Sequence, residues 1–236
     1  MYDIVFISYN EVEADHHWSL LKHRNPIARR VHGVKGIAEA HIAAAKKANT
    51  EYFWVVDADN IVSSSFDFSF KWDLEDTVRD RVLVYAAINS INGLAYGNGG
   101  IKLLPRTPVL EYDQDGYLDF TMSLSNHFHE SELVASMTVI DSTPFEAWRA
   151  GFREVTKLDL GLGILSDITG AIRKERTKIW REGGTGSNAV WCRQGANDAA
   201  GCVEIAYIND FDWLEQTFVD KYGPIEKDNE KFRYHL

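Results

Sequence analysis

The chain reads as an α/β protein built on a mostly parallel sheet with flanking helices. Three observations predict this. Runs of β-branched and aromatic residues at 2–9, 28–34, 52–59 and 82–91 have strand character. An Ala-rich stretch at 36–48 has the apolar face of a helix. Strand and helix then alternate through the first half, the order that a parallel sheet with crossover helices requires.

YDIVFISY (2–9) is a buried first strand, and 14–23 a helix with Trp18, Leu20 and Leu21 inward. ARRVHGV (28–34) is a short second strand, GIAEAHIAAAKKA (36–48) the crossover helix, and YFWVVDAD (52–59) a third strand. VLVYAAINSI (82–91) continues the sheet. LAYGNGGIKLLP (94–105) carries too many glycines for regular structure and reads as a hairpin or loop. MTVI (137–140) is a short strand. Helices are expected at about 144–158 and 165–180, then a Gly-rich loop and a last helical region from about 198.

The 236 residues suit one domain. Composition is that of a globular protein, with 45% hydrophobic and 25% charged residues. A net charge of -10 argues against a protein that coats nucleic acid without specificity, though not against a local basic groove. Two cysteines imply no disulfide framework and make a reducing cytoplasm the expected compartment. The N-terminal residues read as a strand instead of a leader, and no apolar run is long enough to span a bilayer, so no membrane partner is expected.

The chemistry-bearing feature is the end of the third strand, FWVVDADN, where Asp57 and Asp59 follow the most apolar run at once. Ligands of open parallel sheets gather at the carboxyl ends of strands. Two hard anionic ligands so close together suit Mg²⁺ or Mn²⁺, which leaves coordination sites for phosphate oxygens. Taken alone, the pair reads sooner as a turn cap beside a solvated acid.

The surroundings weigh on that choice. KGIAEAHIAAAKKANTEYFWVVDADN (35–60) resembles the nucleotide-sugar half of the GT-A glycosyltransferases, a Rossmann-like fold. There a Gly opens an Ala-rich helix and an apolar strand ends in Asp-x-Asp, matched here by Gly36, Ala40 and the Asp57/Asp59 pair. This chain has His41-Ile42 where large groups of those enzymes carry Arg-Asn. VHGVKGIAEAHIAAA, FWVVDAD, YGNGGIKLLP and INDFDWL also resemble predicted glycosyltransferases of tailed phages. The resemblance implies Mn²⁺ or Mg²⁺ on Asp57 and Asp59 and a nucleotide-sugar donor, a UDP-sugar. It implies a nucleotide-sugar half at 1–105 and an acceptor half at 106–236. The acceptor it implies is a hydroxyl, in some relatives that of hydroxymethylcytosine in phage DNA, and the compartment the host cytoplasm. Alternatives are a glycan or small-molecule glycosyltransferase, a nucleotidyltransferase, and a non-catalytic phage binding protein.

Within that frame Ser8, Tyr9 and Asn10 at the first strand end face the base and ribose. His32, Lys35 and Gly36 lie before the crossover helix, where Lys35 either meets a phosphate at the helix N-terminus or is solvated. Gly99 and Gly100 let the backbone approach a sugar, with Lys102 beside them. An inverting enzyme also needs a general base. Asp198, in the Trp–Gly–acid segment WCRQGAND, is the first candidate, Asp141 the second and Asp167 the third. Glu146 belongs to a capping box, Thr143-Pro144-Phe145-Glu146, and is assigned to structure. His127 and His129 read as ordinary surface or core histidines. RKERTKIWREGG (173–184) is the most basic stretch. Arg173, Arg176, Trp180 and the later Trp191 form either an acceptor surface for DNA or a solvated helix face.

Overall fold

The computed structural model describes residues 1–73, 78–113, 120–161, 170–202 and 208–224. The expected Asp167 and the start of the helix placed at 165–180 lie outside these residues.

The first half follows the sequence closely. β1 (Asp3–Ser8), β2 (Arg29–His32) and β3 (Tyr52–Asp57) pair in parallel, with β1 in the middle. Helix α1 (Ala14–Arg24) connects β1 to β2, and α2 (Ile37–Lys47) connects β2 to β3. In α1 the inward residues are Ala14, His17 and Leu21, with Trp18 packed against the same core. Those positions recur every three or four residues on one face, which leaves Leu20 off it and 42% exposed. β3 is apolar up to its last residue because both its faces are covered; Phe53 to Val56 have no exposure.

The second half departs from expectation at LAYGNGGIKLLP. It is not a loop but β6 (Ala95–Pro105), a long strand at the centre of the sheet. The full order is β2-β1-β3-β6-β5-β7-β4, with β4 (Asn60–Val62), β5 (Val82–Asn89) and β7 (Phe128–Thr138) completing it. β6 runs antiparallel to both β3 and β5, while β5 and β7 are parallel. The spaces at Gly97 and Gly100 are filled by side chains from β4 and β7, strands that do not pair with β6. A Cβ on Gly100 would fall inside the Asn60 carboxamide, and one on Gly97 would lie 3.0 Å from a Glu130 carboxylate oxygen. Between Val84 and Ala86 the β5–β6 register shifts, and Gly99 takes φ +78° in this stretch. Only Met137 and Thr138 of MTVI are in a strand, the end of β7, which begins nine residues earlier than expected, at Phe128.

Short helices α3 (Arg106–Leu110) and α4 (Phe120–Ser123) follow β6. The remaining helices form a second core with its own apolar cluster. They are α5 (Pro144–Asp159), α6 (Gly170–Glu182), α7 (Ala189–Asp198) and α8 (Phe211–Tyr222). α5 and α7 cross in backbone contact at Gly151 and Gly195. A Cβ on either would collide with a main-chain carbonyl of the other helix, that of Cys192 or Trp148.

Candidate functional site

A cleft of about 540 Å³ lies at the carboxyl ends of β1 and β3, between the sheet and α5. Its lining includes Ser8, Tyr9, Asn10, Lys35, Gly36, Asp57, Asp59, Gly99, Gly100 and Lys102, so the first half of the expected site is brought together. His32 is not in the lining. It is exposed, and its Nδ1 sits 3.0 Å from the Ser8 hydroxyl. Ser8 itself is buried, and its hydroxyl accepts from Arg30 Nε at 2.8 Å. Lys35 does not stand free: it donates to Asp212 of α8 at 2.7 Å, which ties the β2–α2 loop to the helical half.

Asp57 is the last residue of β3, and Asp59 is in the turn before β4. Each carboxylate is fixed by a buried partner. Lys102 on β6 donates from Nζ to Asp57 at 2.8 Å and to the Gly99 carbonyl at 2.7 Å. Asn60 donates from Nδ2 to Asp59 at 2.7 Å, while its Oδ1 accepts from the Ser136 and Thr138 hydroxyls at 2.8 and 3.0 Å. His17 meets the carbonyl of the intervening Ala58 at 2.7 Å through Nδ1. Burial pushes the Asp57 pKa up to about 6; Lys102 opposes this, while the like charges of Asp59 and Glu11 add to it.

Glu11, Glu13 and Glu146 line the same cleft. The capping role expected of Glu146 is only half present. Its amide donates to Thr143 Oγ1 at 3.1 Å, but its carboxylate makes no hydrogen bond among the described residues. The carboxylate faces the cleft, and burial raises its pKa; Arg149 pulls it down, and Asp59, Glu11 and Glu13 push it further up. The acidic end thus concentrates negative charge that Lys102 offsets only in part. Such a donor set, hard and anionic, fits a divalent cation. The described residues contain no group of three His, Cys, Asp or Glu side chains fit to hold a metal by themselves. A bound ion would therefore take the rest of its shell from water and ligand oxygens, as Mg²⁺ and Mn²⁺ sites on phosphate substrates do.

The two base candidates are elsewhere. Asp198 ends α7 instead of opening a helix, and it is outside the cleft lining. Its carboxylate accepts from Trp148 Nε1, Gln194, Lys221 and Tyr222. Burial pushes its pKa up, but these donors outweigh burial and hold it below the usual carboxylate range. The Trp–Gly–acid segment is thus a packing device: Gly195 admits α5, and Asp198 joins α5, α7 and α8. Asp141 also misses the lining. Its carboxylate accepts from Ser90 Oγ at 3.4 Å, and its carbonyl from Asn188 at 2.6 Å.

The basic run divides. Trp180 is part of the cleft wall, but at 2% exposure and with Nε1 donating to Tyr96 Oη at 3.0 Å it leaves little indole face for a base to stack on. Tyr96 in turn donates to Glu154 at 2.8 Å, and burial beside that carboxylate raises the phenol pKa far above its usual value. Trp191 packs against Phe218 and Tyr222. Arg173 lies outside the lining, whereas Arg176 lines the cleft with its guanidinium over the Tyr96 ring. His127 meets Asp80 at 3.0 Å, and His129 lies against Trp72; neither lines the cleft.

Sequence reasoning missed Glu11, Glu13, His17, Asn60 and Arg149. The acids of EVE follow the end of the first strand after two intervening residues, so their position at its carboxyl end was the available signal. Asn60 gave none, since the hydroxyls that hold it are on β7 and the space it fills is at Gly100 of β6.

No family model matches the chain, and no curated protein matches it. Solved structures with some similarity include HddC from Yersinia pseudotuberculosis, at 14% identity over 56% of this chain and 90% of that one, TM-score 0.36. A glycosyltransferase involved in the glycosylation of the major capsid of PBCV-1 matches at 11% identity over 55% and 81%, TM-score 0.33. The mannosyltransferase PcManGT from Pyrobaculum calidifontis, solved with GDP-Man and Mn²⁺, matches at 11% identity over 85% and 74%, TM-score 0.45. Likenesses of this size fix no function for this chain, and the functional reading is carried by the cleft and its residues.

Proposed function

We propose that the chain is a metal-dependent glycosyltransferase that moves a sugar from a nucleotide-sugar donor, a UDP-sugar, to a hydroxyl acceptor. One observation carries the reading. Two carboxylates, each fixed by its own buried partner, stand at the carboxyl end of a sheet strand over a cleft roomy enough for a nucleotide sugar. Asp57 and Asp59 would hold Mn²⁺ or Mg²⁺. Bound there, the ion would neutralise the donor diphosphate and make it a better leaving group.

The chain's own residues do the rest. Lys102 and Asn60 keep the two carboxylates in place, and the β1–α1 and β2–α2 loops present Tyr9, Asn10, Lys35 and Gly36 to the nucleotide. Glu146, unbonded and with a raised pKa, takes the place of the expected base. It accepts the acceptor's hydroxyl proton as the new bond forms between that oxygen and the anomeric carbon. The bond to the diphosphate oxygen breaks with its electron pair, and the nucleoside diphosphate leaves. A single displacement of this kind inverts the anomeric centre. The resemblance to phage enzymes makes hydroxymethylcytosine in DNA the acceptor to try first.

The test is release of nucleoside diphosphate from a panel of nucleotide sugars with Mn²⁺, with and without hydroxymethylated DNA. Asp57→Asn and Asp59→Asn are expected to abolish turnover while the fold survives, and chelator to do the same to wild type. Normal turnover by either folded variant would remove the metal-dependent reading.

A further inference from the structure

The cleft is also lined by Arg149, Arg153, Lys157 and Arg176, and two of these, Arg149 and Arg176, have a carboxylate nearby, Glu146 and Glu130, without forming an ion pair with it. The Arg149 guanidinium carbon lies 5.3 Å from the Phe145 ring centre and 5.1 Å from that of Phe211. That of Arg176 lies 4.4 Å from the Tyr96 ring centre. Both line the cleft and are partly buried. Among the described residues neither makes a hydrogen bond or an ion pair. Their neighbours differ. Arg153 donates to the Ile208 carbonyl at 2.7 Å, and Lys157 is paired with Glu154 at 2.8 Å. Glu154, also bonded by Tyr96, is thereby engaged, and Glu130 lies near Arg176 without forming an ion pair.

A guanidinium cannot shed its charge, and ring faces satisfy none of its five N–H donors. Two such groups, partly removed from water and lining one cleft, have N–H donors left for an oxyanion. A phosphate ester suits two forks better than a carboxylate, because it offers more acceptor oxygens and more charge. Carboxylates of the same cleft, Glu130 and Glu146 among them, repel that anion, so the two guanidinium groups must outweigh them. Glu146 and Arg149 lie three residues apart on α5, hence on neighbouring positions of one helix face.

We propose that Arg149 and Arg176 bind a phosphate group of the acceptor and so direct its hydroxyl towards Glu146. This rests on the glycosyltransferase reading for the word acceptor, but the anion site can be tested without it. Calorimetry on the full chain at constant ionic strength would compare thymidine, thymidine 5′-monophosphate and a short single-stranded oligodeoxynucleotide. Wild type is expected to bind the monophosphate at least about tenfold more tightly than the neutral nucleoside, and Arg149→Met with Arg176→Met to lose that preference. Arg149→Lys with Arg176→Lys, which keeps stem and charge but not the fork, guards against misfolding and is expected to fall between. An oligonucleotide that binds more tightly than the monophosphate assigns the phosphate to a polynucleotide; the reverse assigns it to a free phosphate ester. No preference in wild type, or one that survives in the Met variant, overturns the proposal. So does loss of UDP binding with Mn²⁺ in the same variant, since the arginines would then be donor ligands. If wild type binds no nucleotide with Mn²⁺ at all, the glycosyltransferase reading fails, and the phosphate comparison still decides the anion site.

Discussion

Gly100→Ala tests the link between the sheet and the carboxylate pair. The added Cβ would lie well inside 3.0 Å of three Asn60 atoms, Oδ1, Cγ and Nδ2. The backbone at Gly100 is outside the left-handed region, so alanine itself is acceptable there and the effect isolates the collision. To make room the whole carboxamide must leave its place. It then forfeits two hydroxyl bonds, from Ser136 and Thr138, and one bond to the charged Asp59. At about 1 kcal/mol for each neutral bond and about 2 for the charged one, the loss is about 4 kcal/mol. Reduced freedom of the unfolded chain returns about 0.5–1 kcal/mol, leaving roughly 3. For a chain of this length that lowers Tm by about 6–12 °C. Thermal unfolding measures the stability change, and calorimetry with UDP and Mn²⁺ measures the carboxylate pair, whose Asp59 has lost its anchor. Asn60→Ala should itself destabilise, but Gly100→Ala added to it should cost almost nothing, because the obstacle is gone. A Tm within about 2 °C of wild type for Gly100→Ala, or full additivity in the double variant, would refute the collision and the anchoring role.

Other outcomes follow from the same geometry. Glu146→Gln should lower kcat by about 10²–10⁴ with little change in UDP binding; a variant with wild-type kcat returns the base assignment to question. Asp198→Asn should act on stability, by about 2–4 kcal/mol, because four donors converge on that carboxylate; unaltered unfolding with lost turnover would make it catalytic after all. His41 is held near pKa 3 by burial and then by the Lys102 charge. The unfolded chain protonates its imidazole near 6.5 and the folded one does not, so stability present above 6.5 falls as pH drops towards 3. By pH 4.5 this amounts to about 2–3 kcal/mol, which His41→Gln should remove; parallel stability–pH curves for the two proteins would contradict it.

The sequence by itself determined what depends on near neighbours. The α/β class, the strands β1 to β3 with their crossover helices, and the acid pair at the end of β3 follow from periodicities that each segment carries alone. The same logic found α5 from its cap and apolar face. Only the tertiary structure decided the rest, because there the deciding partner is distant in the chain. Propensity makes GNGG a loop; Asn60 and Glu130, arriving from β4 and β7, fill the spaces its missing side chains leave and make it a central strand. Asp198 has the local signature of a base, yet Trp148, Lys221 and Tyr222 take up its lone pairs. Trp180 is flanked by charge in sequence but faces inward from α6 onto Tyr96. Glu146 satisfies the pattern of a cap while its carboxylate turns to the cleft, where burial raises its pKa against the pull of Arg149. A residue's chemistry is written in its type, but whether that chemistry is spent inside the fold or left available to a ligand depends on which groups the chain brings to it from far away.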